Sequence, residues 1–291
     1  MKINICTLCD YSYLPKALSL YMCLSELNND FTLHWLLIDE KSFSIINNLK
    51  LQNVKTYLLD DLENKDIELR KAKNNPEALY GTKYSQYCWT LTPYFVNYIL
   101  KSAITYNDYL VYIDSDIMIY KPLDLILKEV KGKSLGIHTH RFEGNYHDGL
   151  DTGWFNVGIV IVKNDNKGIE ISTNWKNWLL SQDHKYYQKY GKCGDQKYLD
   201  LIYDTYKENI SVFDKNIIHA APWCPFGIGN KHLYWYHFSH FNIDKNGNWH
   251  DSYKGEWNPS SEDGIKKYYE HYAFYNRKAI ILINYENDNS F

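Results

Sequence analysis

Two carboxylates stand two positions apart directly after an apolar segment of the chain. The segment Tyr109–Ile113 is followed by Asp114, Ser115 and Asp116. Carboxylates are costly to remove from water unless a cation or hydrogen-bond donors pair with them, so two at the end of a buried segment call for a partner. Mg²⁺ and Mn²⁺ prefer oxygen ligands and in turn bind phosphate oxygens. The pattern therefore predicts a site for a divalent metal and a diphosphate, although surface loops produce the same tripeptide by chance.

Strand and helix patterns alternate through the first half of the chain. Apolar and alternating residues predict strands over residues 3–8, 31–38, 54–59 and 109–113, and helical spacing predicts helices over residues 14–27, 42–49, 62–71 and 84–102. This order is typical of βαβ units and predicts an α/β fold with a mostly parallel sheet covered by helices on both faces. Because ligands bind beyond the carboxyl ends of such strands, we expect Asp114, Asp116 and the loop 9–13 at one edge of the sheet.

The second half of the chain is less regular. The same criteria predict strands over residues 155–162 and 232–238, and helices over residues 169–180, 195–203 and 261–277. No linker-like or repeated segment divides the chain. We therefore expect one α/β domain over residues 1–241 and a short C-terminal helical extension, residues 242–291, packed on the same domain.

Composition excludes several classes of protein. A chain of 291 residues with 45% hydrophobic and 23% charged residues is typical of a globular protein. The net charge of −3 argues against a nucleic-acid partner, because nucleic-acid-binding surfaces are basic. No run approaches the ~18 apolar residues of a membrane span, and the first residues lack the apolar core of a signal peptide. These observations predict a cytoplasmic protein.

Six cysteines are spread along the chain, and Cys6 and Cys9 form a Cys-x-x-Cys pair. Zinc and redox sites share this spacing, but no second pair of Cys or His lies at ligand spacing. Cys6 also falls inside a predicted strand. The sequence therefore favours buried thiols in a reducing compartment over a metal or redox site.

Four short features, in this order, resemble a known family of enzymes. They are the first strand with its loop, Asp114-Ser115-Asp116, Phe155-Asn156-Val157-Gly158 before an apolar strand, and the late segment Tyr236-His237-Phe238-Ser239-His240. Their order and spacing resemble GT-A nucleotide-diphospho-sugar glycosyltransferases, most of all the family-eight type that includes glycogenin and the bacterial lipopolysaccharide galactosyl- and glucosyltransferases. The resemblance covers residues 2–241 and implies a Rossmann-like GT-A fold.

The resemblance implies an Mn²⁺ or Mg²⁺ ion bound by Asp114, Asp116 and a late histidine. Two aspartates and a diphosphate leave the cation short of six ligands, and imidazole is a suitable third protein ligand for Mn²⁺. His237 matches the family's His-x-x-Gly, but the glycine position holds His240, which competes for the ligand role. The alternative is a pair of histidines in an aromatic strand, without a metal.

The donor sugar is expected beside the segment that contains Asn156. Asn156 and Gly158 resemble the family's Asn-x-Gly, whose amide faces the sugar and whose glycine permits close approach of the backbone. Upstream, Asp148 and Asp151 offer carboxylates that could bind sugar hydroxyls, and a polar turn is the alternative.

Asp195 and Gln196 resemble the family's Asp-Gln pair at the start of a helix. This implies that Gln196 lies near the anomeric carbon and that Asp195 contacts the sugar or the acceptor, as the catalytic residues. Asp is also a strong helix cap, and both roles can coexist.

The nucleotide is expected around the first loop. The resemblance implies that uracil and ribose bind along residues 7–11, from Thr7 onward, with Tyr11 or Tyr13 stacking on the base. Lys83 falls near the position of a basic residue for the diphosphate, with a solvated lysine as the alternative. Ser115, between the two aspartates, is expected among the nucleotide contacts.

The sequence thus predicts a metal-dependent glycosyltransferase of the hexosyltransferase type. It would move a sugar from a nucleotide diphosphate, expected to be UDP, to a glycan or lipid-linked acceptor with retention of configuration. The alternatives are a sugar-binding module without chemistry and a sugar-nucleotide nucleotidyltransferase, whose glycine-rich, basic first loop is missing at residues 9–13. Lys266, Lys267, Arg277 and Lys278 could bring the last helix to an anionic membrane, and a solvated face is the alternative.

Overall fold

Strands and helices alternate along the chain, as the sequence predicts. The computed structural model describes residues 2–27, 30–74, 82–130, 132–142, 152–181, 194–213, 217–224, 233–252 and 264–288. The strands are β1 (Ile3–Cys9), β2 (Phe31–Leu37), β3 (Val54–Leu58), β4 (Tyr109–Ile113), β5 (Ile117–Ile119), β6 (Leu135–Thr139), β7 (Phe155–Lys163), β8 (Ile210–Val212), β9 (His219–Ala220), β10 (Trp235–His237), β11 (Phe241–Ile243) and β12 (Trp249–Asp251). The helices are α1 (Leu14–Leu27), α2 (Glu40–Asn48), α3 (Leu59–Lys65), α4 (Ile67–Lys73), α5 (Lys83–Ala103), α6 (Leu123–Glu129), α7 (Asn166–Ser181), α8 (Gly194–Tyr206) and α9 (Lys266–Asp288).

A seven-stranded sheet in the order β3-β2-β1-β4-β7-β6-β8 forms the centre of the described structure. The pairs from β3 to β4 are parallel, β7 is antiparallel to both β4 and β6, and β8 is parallel to β6. The predicted α/β fold with a mostly parallel sheet is confirmed, with one antiparallel strand near its middle.

Each face of this sheet is covered by helices. Alternate residues of a strand point to opposite faces, so β1 and β4 contribute to two separate cores. Val111 of β4 packs in the core that contains residues of α1, α2 and α9, whereas Tyr112 packs in the core that contains residues of α5, α7 and α8. Cys6 and Cys9 are buried in these two different cores, which separates them as ligands of one metal ion.

Local hydrogen bonds explain where helix boundaries differ from the sequence prediction. The helix predicted over residues 62–71 is two helices, because the Asp66 side chain accepts from the N–H groups of Glu68 and Leu69 and caps the start of α4. Asp39 likewise caps α2 by accepting from the N–H of Ser42 (2.9 Å). The last helix continues to Asp288, well beyond the predicted end at residue 277.

A second, three-stranded sheet was not predicted from the sequence. Its order is β5-β10-β9, with β5 and β10 antiparallel and Ile117 opposite His237. The N–H of Phe238 continues this pairing by donating to the carbonyl of Asp116 (2.8 Å). Strands of two or three residues are too short to show a period of two in the sequence.

The C-terminal helix α9 packs along α1. The Tyr275 hydroxyl donates to the Glu26 carboxylate, and the ring of Tyr272 stacks on Phe238 with centroids 4.0 Å apart. A domain boundary at residue 241 stays a prediction. Among the described residues, no helix combines the length and the apolar character that crossing a membrane requires.

Candidate active site

The two aspartates of the Asp-x-Asp pattern lie at the carboxyl end of β4, in the middle of the central sheet. The backbone N–H of Asp114 donates to the carbonyl of Gly158 on β7 (2.9 Å), which fixes the first aspartate. The N–H of Ile117 donates to the carbonyl of Asp114 (3.1 Å), which closes a turn around Ser115 and Asp116.

His237 reaches the same point from the other half of the chain, through the pairing of β10 with β5. Its Nε2 lies 3.1 Å from Oδ1 of Asp116 and 3.8 Å from Oδ2 of Asp114. Asp114, Asp116 and His237, here the Asp-Asp-His cluster, offer three ligand atoms within 4.8 Å of one another, and no other such group occurs among the described residues. His240 is exposed and lies outside the cluster, so the structure brings His237 and not His240 to the aspartates.

Burial makes the Asp-Asp-His cluster electrostatically costly without a cation. Burial raises the pKa of Asp114, and the charge of Asp116 adds to this effect against that of His237. Burial also acts to raise the pKa of Asp116, but His237 and Lys16 outweigh it and bring the pKa to about 2. For His237, burial acts to lower the pKa, and the two carboxylates outweigh it and raise the pKa. The imidazole and the carboxylates therefore stabilise each other's charged forms against the cost of burial.

A glycine allows His237 to approach β7 closely. A Cβ at Gly158 would lie 2.6 Å from Oδ1 of Asn156, 2.9 Å from Nδ1 of His237 and 2.9 Å from Cδ1 of Ile117. The N–H of Gly158 also donates to Oδ1 of Asn156 (2.8 Å). Nδ1 of His237 is buried and has no hydrogen-bond partner within the described part of the chain. Gly158 therefore makes room for both the histidine and the asparagine.

A cavity of about 840 Å³ opens over the Asp-Asp-His cluster, within the usual size of a small-molecule site. It is bounded by the first loop, α5, the Asp-x-Asp turn, the start of α8 and the segment after β10. The predicted site residues that line it beside the cluster are Tyr13, Ser115, Asn156, Asp195, Gln196 and His240.

The predicted Asp-Gln pair begins helix α8 at the cavity wall. Nδ2 of Asn156 donates to Oε1 of Gln196 (3.4 Å), and Oδ1 of Asp195 accepts from the N–H of Gln196 (2.9 Å). A Cβ at Gly194 would lie 2.6 Å from the ring of Trp89, so the glycine lets the start of α8 pack directly on α5.

Hydrogen bonds through the core connect Asp114 with Asp195. The Tyr112 hydroxyl donates to Oδ1 of Asp114 (2.7 Å) and lies 3.3 Å from Oγ1 of Thr92, which in turn bonds the Asp195 side chain. Burial, followed by the charge of Asp114, raises the pKa of Asp195 to about 8. At neutral pH a large fraction of this carboxyl group is therefore protonated and can donate a hydrogen bond.

Tyr13 lies on the metal side of the cavity. The charge of Asp116, followed by burial and the charge of Asp114, raises the pKa of its hydroxyl. Lys16, in the first turn of α1, is buried with its Nζ 4.2 Å from the Tyr13 ring centroid. Burial lowers the pKa of Lys16, against the charges of Asp116, Asp251 and Asp10.

Three other predicted nucleotide contacts lie away from the cavity lining. The Tyr11 ring is covered by Nζ of Lys41 at 3.8 Å, and its hydroxyl accepts from Asn287 (3.1 Å). Thr7 is fully buried in β1, and Lys83 is exposed at the first turn of α5. Their nucleotide contacts stay predictions.

Asp148 and Asp151 lie outside the described residues, so their predicted contacts with sugar hydroxyls also stay predictions.

Sequence reasoning missed an aromatic wall of the cavity, which is formed by His140, Phe142 and Trp223 next to His237. His140 stacks on Phe142 with ring centroids 4.6 Å apart, and Trp223 packs edge-on against both His140 (5.6 Å) and His237 (5.2 Å). Nε1 of Trp223 donates to the His140 carbonyl (2.9 Å). These residues belong to none of the four motifs, and only the folded chain brings them together.

The first loop also contributes the carboxylate of Asp10 to the cavity lining. Oδ2 of Asp10 accepts from the Tyr84 hydroxyl (2.7 Å), and its Oδ1 accepts from Ser12 (2.6 Å). The loop is thereby tied to α5 across the cavity mouth.

Comparison with sequence families and curated proteins gives distant relatives. No family model matches the chain. The uncharacterised protein YfnD of Bacillus subtilis is 25% identical over 256 residues, covering 81% of this chain and 77% of YfnD. The uncharacterised protein YfnF of the same organism is 27% identical over 208 residues, covering 69% of this chain and 65% of YfnF.

Comparison with solved structures is more informative about the fold. Mouse xyloside xylosyltransferase 1 matches with a TM-score of 0.55 and 17% identity, over 81% of this chain and 97% of that protein. The galactosyltransferase LgtC, solved with donor and acceptor sugar analogs, matches with a TM-score of 0.56 and 13% identity, over 93% of this chain and 95% of LgtC. The glycosyltransferase GlyE of Streptococcus pneumoniae matches with a TM-score of 0.53 and 15% identity, over all of this chain and 64% of GlyE. The predicted fold is thus confirmed, and this chain has the GT-A fold of nucleotide-sugar glycosyltransferases.

Proposed function

We propose that the protein is a metal-dependent glycosyltransferase. The donor is a sugar linked to a nucleoside diphosphate, for which we propose UDP, and the sugar is moved to a hydroxyl group of a glycan or lipid-linked acceptor. The observation that carries this proposal is the Asp-Asp-His cluster, which lies beneath a cavity of about 840 Å³ in a chain with the GT-A fold. Sugar transfer from a diphosphate requires positive charge where the diphosphate leaves, and this cluster is suited to hold it.

The side chains of the cluster fit a hard divalent cation. Two carboxylates and one imidazole are an oxygen-rich ligand set that suits Mn²⁺ or Mg²⁺. Asp114, Asp116 and His237 would hold the ion, which would supply Lewis-acid stabilisation of charge on the departing diphosphate. Without such a cation, the positive charge nearby comes from His237 and Lys16, and burial still raises the pKa of Asp114.

The remaining residues of the cavity are suited to position the two substrates. The Tyr13 hydroxyl lies within the electrostatic reach of Asp116, which favours a contact of this hydroxyl with the diphosphate over stacking of its ring on the base. Asn156 and Gln196 share a hydrogen bond beside the cluster, where the donor sugar would lie. The aromatic wall with Trp223 is suited to the apolar face of an acceptor sugar.

Retention of configuration is part of the proposal and rests on the resemblance to family eight. In a retaining transfer the face opposite the leaving group needs a weak dipole more than a strong base, and Gln196 provides an amide there. An inverting enzyme would need a carboxylate base within ~2.6–3.2 Å of the acceptor hydroxyl. Asp195 is the described carboxylate beside Gln196, and its Oδ1 already accepts from the Gln196 N–H.

One experiment separates this proposal from its rivals. UDP release is measured with a panel of UDP-sugars, with Mn²⁺ and with EDTA. We expect Mn²⁺-dependent release from at least one sugar nucleotide, even without an acceptor. A sugar-binding module would release none, and a nucleotidyltransferase would instead form pyrophosphate from UTP and a sugar 1-phosphate. Either of those outcomes would reject the proposed function.

Contact with an anionic membrane is a further part of the proposal. The exposed face of α9 carries Lys267, Phe274, Lys278, Ile281 and Tyr285 at helical spacing. Basic and large apolar side chains on one helix face suit the surface of an anionic bilayer. We expect binding to vesicles that contain phosphatidylglycerol, and none to pure phosphatidylcholine. If the protein bound vesicles of both compositions to the same extent, this part of the proposal would be rejected.

A further inference from the structure

The two carboxylate oxygens of Asp114 lie in different surroundings. Oδ1 accepts a hydrogen bond from the Tyr112 hydroxyl (2.7 Å), whereas Oδ2 faces Nε2 of His237 at 3.8 Å. The last torsion angle of an aspartate side chain has a broad, nearly two-fold preference, so the side chain alone does not fix which oxygen points where. The bond from Tyr112 therefore determines which oxygen of Asp114 faces the Asp-Asp-His cluster.

The hydroxyl group of Tyr112 is itself held by a second hydrogen bond. A tyrosine hydroxyl has one proton, and because Tyr112 donates this proton to Asp114, its oxygen is left to accept. Oγ1 of Thr92 lies 3.3 Å from that oxygen and is therefore the donor of the second bond. Thr92 thus holds the Tyr112 hydroxyl in the orientation that points to Asp114.

The ring of Tyr112 has a rigid support. Tyr112 lies on β4 between β1 and β7, opposite Cys6 on one side and Val160 on the other, and its side chain is buried. The ring packs in the core that contains residues of α5, α7 and α8. A strand in the middle of a sheet holds a side chain more precisely than a loop does. Tyr112 thus ties Asp114, which lies just beyond the end of β4, to the rigid part of the sheet.

We propose that Tyr112 is a positioning residue of the metal site, which holds Asp114 with Oδ2 toward the ion. Groups that hydrogen-bond a metal ligand orient it, and their loss typically weakens metal binding about 10- to 100-fold. Tyr112 lines the cavity beside Asp114 and lies outside the four motifs of the family resemblance. This inference rests on the proposed function, because it requires that the Asp-Asp-His cluster binds a metal ion.

The test removes the hydroxyl group and keeps the ring, in the substitution Tyr112→Phe. We expect the dissociation constant for Mn²⁺, measured by calorimetry with UDP present, to rise about tenfold or more. Because the three ligands remain, saturating Mn²⁺ should restore kcat for UDP-sugar hydrolysis to within about twofold of the wild type. A kcat that stays low at saturating Mn²⁺ would assign Tyr112 to the reaction itself and reject a role in positioning the ligand.

Tyr87 on α5 provides a matched control in the same core. Its hydroxyl also donates to one oxygen of a buried carboxylate, Oε1 of Glu63 (2.6 Å), whose Oε2 pairs with Nζ of Lys73 (2.8 Å). Tyr87 lies outside the cavity lining. Tyr87→Phe should therefore lower the melting temperature about as much as Tyr112→Phe and leave the Mn²⁺ affinity unchanged. An Mn²⁺ affinity that is unchanged in Tyr112→Phe, or equally reduced in Tyr87→Phe, would overturn the inference.

A measurement on the metal-free protein distinguishes failure of this inference from failure of the proposed function. ¹³C NMR of protein with labelled aspartate carboxylates reports the hydrogen bonding of each group, and the Asp114 signal is assigned by its loss in Asp114→Asn. We expect this signal to move in Tyr112→Phe and to stay in place in Tyr87→Phe. An unmoved signal in Tyr112→Phe would refute the contact whether or not the protein transfers sugar. Absence of UDP release from a wild type that binds Mn²⁺ would refute only the proposed function.

Discussion

Replacement of Gly158 by alanine tests the close packing around the Asp-Asp-His cluster. The added methyl would lie 2.9 Å from Nδ1 of His237 and 2.6 Å from Oδ1 of Asn156, whereas ordinary contacts begin at 3.4 Å. His237 would have to move by about 0.5 Å, which exceeds the roughly 0.2 Å over which metal–ligand distances vary. We expect the affinity for Mn²⁺, measured by calorimetry with saturating UDP, to fall about 10- to 100-fold.

The same substitution should also reduce stability, so a control for overpacking is needed. Crowding in a well-packed core costs about 1–3 kcal/mol of unfolding free energy. Gly136 on β6 is a suitable control, because a Cβ there would lie 2.8 Å from Cγ2 of Val130, outside the cavity lining. We expect Gly136→Ala to lower the urea midpoint to a similar extent and to leave the Mn²⁺ affinity unchanged.

Two results would refute this reasoning. If Gly158→Ala bound Mn²⁺ as tightly as the wild type, the position of His237 against β7 would not control the metal site. If Gly136→Ala lost as much affinity as Gly158→Ala, the loss would reflect general destabilisation and not a displaced ligand.

Four further predictions follow from the site. Asp116→Ala should abolish Mn²⁺-dependent UDP binding in a thermal-shift assay. The control Asp124→Ala, which removes a carboxylate of α6 that pairs with Lys128, should leave this binding intact. An unchanged thermal shift in Asp116→Ala would contradict the assignment of Asp116 to the metal site. The pKa of His237 is raised, and a metal ion binds only the unprotonated ring. The Mn²⁺ affinity, measured by calorimetry, should therefore fall by about tenfold for each pH unit below that pKa. An affinity that does not fall would exclude His237 as a ligand. Gln196→Ala should lower kcat by about 10²-fold while the donor KM changes little. Loss of donor binding at constant kcat would instead mean that Gln196 binds the donor equally well in the ground state and in the transition state. With a UDP-α-sugar donor, the anomeric coupling in the NMR spectrum of the product should be that of an α-linkage, and a β-linked product would contradict retention.

Local patterns were sufficient to predict much of the fold. The alternation of strands and helices up to Tyr109–Ile113 is visible because each element is long enough to show its period. The aspartates were found for a related reason, since a polar pair after an apolar strand stands out in the sequence. The family resemblance, and not a local pattern, singled out Asn156 and Gly158 at the start of β7, and Gly158 lies against His237 there.

The features that were missed depend on contacts between distant segments. The β5–β10 pairing, which carries His237 to the aspartates, involves strands of three residues. The choice between His237 and His240 could not be made from the motif, because the chain turns between them: His240 has a backbone φ of 64° and is exposed. His140 was missed because Trp223, which packs against its ring and donates to its carbonyl, lies 83 positions further along the chain.

The pairing of β5 with β10 also has a consequence for the dynamics of the protein. Ile117 and His237 are about 120 positions apart, so this contact closes a long loop at a high entropic cost and involves few backbone bonds. Such short, non-local pairings are among the first to open in native-state fluctuations. A metal ion bound by Asp114 and Asp116 at one end of the loop and by His237 at the other would stabilise the pairing, because β10 could open only after His237 had left the metal ion. Amide hydrogen exchange around β10 would then slow on metal binding, while exchange in β1 and β2 would not change.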